Sequence, residues 1–120
     1  MKTVAKKHNL NDGYIACYTV KERQSSFNAP MNASDEADLN FVVSLAYEEM
    51  SKRDQDLEFA EANGRNLSIK VKTHLYEAVN KSCKVILGES LYDIIKLDYS
   101  RKDGLMYLYL DEVRKIVRSD

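Results

Sequence analysis

Residues 91–110, LYDIIKLDYSRKDGLMYLYL, constrain the fold more than any other stretch. Two runs of alternating apolar residues flank Asp103-Gly104, a dipeptide that supplies the positive φ angles of a tight hairpin turn. With Asp103 and Gly104 as the two loop residues, Tyr99 falls opposite Leu108 and Leu97 opposite Leu110, which makes an apolar face. The same register sets Lys96 opposite Asp111, Asp98 opposite Tyr109 and Ser100 opposite Tyr107 on a polar, tyrosine-bearing face. A slip of one residue would pair apolar with polar positions, so pattern and turn agree on one register.

The rest of the chain reads as further strands, with one helix. YIACYTV, from Tyr14, is aromatic and β-branched, with Tyr14, Ala16, Tyr18 and Val20 on one side. The segment 21–38 holds the only proline and fits neither the strand nor the helix period, which predicts a long loop. Alternation resumes over 39–50, with Phe41, Val43, Leu45 and Tyr47 on one face. A helix of about ten residues follows, with Ser51 or Asp54 as its N-cap, acidic residues near its positive end and Gly64 as its left-handed stop. Its apolar stripe of Leu57, Phe59, Ala60 and Ala62 is thin, so it is expected to lie on the barrel surface.

The sharpest alternation spans 66–73. Leu67, Ile69 and Val71 share one face, and Ser68, Lys70 and Lys72 the other, which predicts one buried and one solvated side. After a linker at 75–82, a strand from Cys83 to Leu87 meets Gly88-Glu89, a second tight-turn candidate. This pairs Val85 with Tyr92, Cys83 with Ile94 and Lys84 with Asp93. Tyr92 and Ile94 then point inward in one half of a strand whose other half sends Leu97 and Tyr99 inward, and a β-bulge at Ile95-Lys96 reconciles the halves. The tail from Leu110 reads equally as an extension of the last strand or as one or two helical turns. The fold class expected is all-β: a small barrel of about six mostly antiparallel strands with one short α-helix and a long loop. A flexible arm (1–12) precedes the barrel domain (13–114), and a tail (115–120) follows it.

Composition narrows the functional classes. A chain of 120 residues buries roughly two thirds of its unfolded surface as one domain. With 18 Lys plus Arg against 19 Asp plus Glu, no whole-domain charge favours nucleic acid, membrane or acidic substrates. No run approaches the ~20 apolar residues of a membrane span, and no signal-peptide core precedes the first strand, so a soluble cytosolic protein is expected. Cys17 and Cys83 read as buried free thiols. His8 and His74 have no nucleophile or carboxylate at a motif spacing. The four glycines are dispersed among turns and caps, so no catalytic, metal or cofactor site is expected. Two features remain: Tyr107 and Tyr109 beside Lys96, as a stacking platform or a covered edge, and the stripe Lys70, Lys72, His74, as a solvated face or a channel lining near DNA.

RDQDLEFAEANGRNLSIKVKT (53–73) followed by KVILGESLYDIIKLDYSRKDGLMYLYLDEVR (84–114) resembles the head-closure, or head-tail connector, proteins of long-tailed bacteriophages and prophages of Gram-positive hosts. The likeness lies in the order of parts: a strand, an acidic-and-alanine helix, the IKVKT strand, a short strand with a Gly turn, then YDI and a final hairpin ending in LYLDEV. It covers most of the chain from Asn11 onward. The resemblance implies a structural virion protein, assembled in the host cytoplasm as a ring beneath the portal-adaptor ring. There it closes the DNA exit channel and docks tail-completion proteins. Its partners would be other copies of itself, these connector proteins and packaged DNA, with no membrane and no small-molecule substrate. The residues expected at a partner or at the channel are Lys21, Arg23, Gln24, Phe27, Asn28, Pro30, Arg53, Gln55, Arg65, Lys70 and Lys72. The alternative is an OB-like or SH3-like barrel that binds nucleic acid or a peptide.

Overall fold

The computed structural model describes residues 10–21 and 39–116. Six strands and one helix follow in the order β1 (Gly13–Val20), β2 (Leu39–Met50), α1 (Asp54–Ala62), β3 (Ile69–His74), β4 (Lys84–Leu87), β5 (Ser90–Ser100) and β6 (Leu105–Lys115). The strands close into an antiparallel barrel in the order β1-β2-β3-β6-β5-β4. This is the all-β barrel with one short helix that the alternating runs predict. Its interior holds Ile15, Cys17, Leu45, Val71, Val85, Ile94, Met106, Leu108 and Leu110, and the connection between β3 and β4 adds Val79 and Cys83. Among the described residues no helix is long and apolar enough to cross a membrane.

The organising hairpin forms, but its loop has four residues, 101–104, in place of two. Ser100 pairs with Leu105, Tyr99 with Met106, Leu97 with Leu108, Asp98 with Tyr107 and Lys96 with Tyr109. The Asp103 N–H donates to the Ser100 carbonyl at 3.1 Å, Ser100 Oγ lies 3.1 Å from Asp103 Oδ2, and Gly104 has φ +67°. A turn of this kind takes its left-handed residue at the end of the loop, so the expected Asp103-Gly104 two-residue turn gives way to it. From Lys96 to Ser100 every cross-strand partner therefore shifts by two residues, an even shift that keeps the faces, and beyond the bulge at Ile95 the shift becomes three.

The Gly88-Glu89 turn and its register hold as expected, with Val85 opposite Tyr92 and Lys84 opposite Asp93. The bulge falls at Ile95, where the register passes from Ile94–Leu110 to Lys96–Tyr109. The first part of the tail is strand, since β6 runs to Lys115, and 117–120 lie outside the described residues. Two face assignments fail. A second bulge lies between Cys17–Val43 and Tyr18–Phe41, leaving Val42 unmatched, so Phe41 turns outward and is 61% exposed while Leu45 and Tyr47 stay inside. Leu67 precedes β3 and is buried with Ala60, Ile95 and Tyr109 beneath the helix, apart from Val71.

The helix does lie on the barrel and stops at Gly64 as expected, but neither Ser51 nor Asp54 is its N-cap. Arg53 is the N-cap residue, its N–H donating to Asp56 Oδ2 at 3.0 Å, because Asp56 at the third helical position reaches back as in a capping box. At the other end Gly64, with φ +67°, donates to the Glu61 carbonyl, and the Arg65 N–H to the Ala60 carbonyl at 2.8 Å. This Schellman pattern fixes where Arg65 departs. Leu108, fully buried at the centre of the core, should cost about 2–5 kcal/mol on replacement by Ala. The Leu57→Ser change on the exposed helix surface should stay within about 0.5 kcal/mol. Urea unfolding of both variants checks the assignment of inside and outside.

Candidate functional site

The expected basic stripe is internal. Lys70 is 3% exposed and Lys72 9%, because α1 covers the outer side of β3 beside Lys70 and Glu48 of β2 pairs across the sheet with Lys72. Lys70 Nζ lies 3.0 Å from Asp56 Oδ2 and 4.9 Å from the centre of the Tyr109 ring. Lys72 Nζ lies 2.7 Å from Glu48 Oε1. The alternation was right about the two faces of β3 and wrong that the lysine face meets water, because a thin helical stripe gave no sign that the helix covers it through Asp56 and Ala60. His74 is exposed at the strand end.

Burial alone would raise the Asp56 carboxyl. The Arg53 N–H, the Lys70 hydrogen bond and the two nearby positive charges outweigh it and hold Asp56 below its ordinary value. These groups anchor the helix to the barrel.

Tyr109 is 6% exposed under the helix, and its hydroxyl donates to Asp98 Oδ2 at 3.0 Å. Burial, then Asp98, raises its pKa. Lys96 Nζ sits 5.1 Å from the Tyr109 ring centre and 5.0 Å from that of Phe59. Tyr107 packs against the same cluster. The tyrosine face is thus the covered edge, and no base could stack on Tyr109 as it stands.

Arg65 stands at a charge clip. The corrected register places Asp93 directly opposite Asp111, two like charges that disfavour the pairing. Arg65 Nε donates to Asp111 Oδ2 and Nη2 to Asp93 Oδ2, each at 2.7 Å, and Lys84 pairs with Asp93 from the neighbouring strand. Lys96 was expected opposite Asp111; it faces Tyr109 instead, and Arg65 supplies the cation at Asp111. Burial pushes Asp93 up, and the Lys84 and Arg65 hydrogen bonds more than compensate, leaving it below its ordinary value. Cys17 and Cys83 are free and buried, as expected, and burial, reinforced by Cys83, pushes the Cys17 thiol up to about 12.

Of the remaining expected contact residues, Lys21, Arg53 and Gln55 are exposed, and Arg23, Gln24, Phe27, Asn28 and Pro30 lie outside the described residues, as does His8. What the sequence missed is the outer face of β1 and β2. Tyr14 is 71% exposed and Phe41 61%, and the Tyr18 and Phe41 rings meet edge to face with centroids 5.7 Å apart. The outward pairs Tyr14–Ala46, Ala16–Ser44 and Tyr18–Phe41 carry no charge. The signal was present in the neutral run Tyr14, Ala16, Tyr18, but that Phe41 joins this face depends on the bulge at Val42. Val20 and Leu39, which pair with one another, mark where segment 21–38 leaves and rejoins the barrel beside this face. No family model matches the chain, and no curated protein matches it.

Removing Asp56 leaves Lys70 buried without a counter-ion, so Asp56→Asn should cost about 3–5 kcal/mol at neutral pH, while the joint change Asp56→Leu, Lys70→Met should recover most of the loss. A carboxyl held low in the folded state stabilises above its unfolded pKa of ~4 and loses that contribution as pH falls through the folded value, so the gap between wild type and Asp56→Asn should shrink in acid. Urea midpoints across pH 2–7 read both. Replacing Arg65 by Gln should raise the Asp93 pKa, followed by carboxyl carbon NMR; an unchanged titration would mean that the clip does not hold Asp93.

Proposed function

We propose that this protein is a head-closure, or head-tail connector, component of a long-tailed phage or prophage. In this reading it acts by ring assembly under a portal-adaptor ring, closes the DNA exit channel and docks the tail, without catalysis. The observation that carries the reading is the uncharged stretch formed by Tyr14–Ala46, Ala16–Ser44 and Tyr18–Phe41 on the outer face of β1 and β2, with Tyr14 and Phe41 as the most exposed large apolar side chains among the described residues. Exposed aromatic residues on a neutral strand surface act as anchors for protein contacts. This face borders both ends of segment 21–38, where the resemblance puts partner contacts. A six-stranded barrel with its helix between β2 and β3 also agrees with the order of parts in that family.

The pairing of Lys70 and Lys72 moves the expected DNA contact elsewhere. In this proposal neighbouring subunits and connector proteins meet the β1–β2 face, and DNA contact falls to Lys21 and the 21–38 segment. The nucleic-acid-binding alternative draws no support from the covered Tyr109 and the paired lysines.

Light scattering of the protein mixed with tailless capsids, or with portal-adaptor complexes from the same phage, tests the proposal. Wild type should be taken up onto the connector, with only weak binding to free short DNA. The double variant Tyr14→Ser, Phe41→Ser should keep its urea midpoint and lose connector affinity by at least about thirtyfold, as two anchor residues imply. No uptake of wild type, or tight salt-sensitive binding to single-stranded DNA by the free protein, would overturn it.

A further inference from the structure

The barrel seam between β4 and β5 is closed along only part of its length. β4 has four residues and pairs with 90–93, whereas β5 continues to Ser100. Before β4 the chain turns away: the Cys83 N–H donates to the Asn80 carbonyl at 2.9 Å and the Val79 N–H to the Tyr76 carbonyl at 3.0 Å, so 75–83 follows turns and adds no strand. Among the described residues, no ladder pair is formed by 94–99 on this side, and the contact across the seam is the Tyr99 hydroxyl donating to the Val79 carbonyl at 2.9 Å. A strand directs its N–H and C=O groups alternately to both sides, so about 20 Å of β5 edge offers donors and acceptors without a ladder partner.

Two hollows open along this edge, of about 340 and 410 Å³. Ile95 and Phe59 line the first, Leu97 and Tyr99 the second, and Lys81 lines both. Arg65, at the first hollow, is already engaged by Asp93 and Asp111. Asp98, on the same edge, is taken up by the Tyr109 hydroxyl at 3.0 Å and by Lys96 at 3.7 Å, whereas Lys81 is exposed and has no carboxylate partner among the described residues, so it is the charge left for an added strand.

We propose that the 94–99 edge of β5 is a docking site for an extended, acidic peptide segment of a partner protein, which adds as a strand and sets a carboxylate against Lys81. Alternate side chains of the added strand enter the hollows beside Ile95 and beside Leu97 and Tyr99, while its backbone completes the ladder that β4 leaves short. A second copy of this chain fits less well, because it would bring a second Lys81 to the same seam, and the bulge at Ile95 interrupts a self-complementary edge. The proposal does not rest on the connector reading, and each can fail without the other.

The test uses displayed peptides seven residues long, randomised at every position and panned on the full-length protein, with the selected sequences then synthesised. Selected peptides should carry an acidic residue between alternating apolar ones, shift the amide resonances of 94–99, and slow the hydrogen exchange of those amides. N-methylation of the alternate peptide nitrogens that face β5 should weaken binding about tenfold, because it removes ladder donors. The Lys81→Glu variant, changed only at an exposed turn, should keep its fold by circular dichroism and shift selection to basic peptides. Selected peptides that perturb other surfaces, unchanged affinity after N-methylation, failure to select any binder at this edge, or self-association of the protein through it would overturn the proposal.

Discussion

The Lys70–Asp56 ion pair joins the parts of this molecule that sequence order leaves separate. A buried lysine needs a counter-ion of good geometry, since desolvation otherwise exceeds the Coulombic gain. Asp56 supplies it and also closes the helix N-terminus by accepting from the Arg53 N–H. One carboxylate thus sets both the start of α1 and its seat on β3. Tyr109, under Lys70, continues the contact into β6, and its hydroxyl extends it to Asp98 on β5. At the other end of the helix, the Gly64 turn aims Arg65 at Asp93 and Asp111, so the helix is clamped to β3 at its start and to the β5–β6 hairpin just past its end.

These clamps decide what the surface has left for function. Lys70, Lys72, Lys84 and Arg65, four of the cations nearest the barrel, are matched by carboxylates of the same chain. A fold stabilised in this way presents little net field for a phosphate backbone. Its distinctive outer features are instead the neutral aromatic face of β1 and β2 and the short β4 seam. Both are suited to protein contacts, the first through anchoring side chains and the second through backbone groups.

Strand existence and face were legible where period two is unbroken. The bulge at Ile95 could be inferred because Tyr92 and Ile94 disagree in parity with Leu97 and Tyr99. The bulge at Val42 could not, because Phe41, Val43 and Leu45 alternate through it without conflict and only pairing with β1 exposes the extra residue. The hairpin register was missed by two because Asp103-Gly104 fits a two-residue turn as well as the end of a four-residue loop. The faces survived because the error was even. Burial of the lysine stripe was hidden for another reason: Lys70 and Lys72 look solvated within β3 alone, and their partners lie on β2 and α1. Of the candidate contact residues, Arg65 was expected at a partner or at the channel, and within the chain it pairs with Asp93 and Asp111, carboxylates on strands that its own position in sequence does not indicate.

The most direct test of this account is the chemical accessibility of individual lysines in the folded protein, read by brief reductive methylation and mass spectrometry. Lys81 and Lys102, both exposed, should be modified readily, while Lys70 and Lys72 stay protected until the protein unfolds. Modification of Lys70 at the rate of Lys81 would contradict the claim that its charge serves the fold, and would return the β3 stripe to the surface as a candidate channel lining.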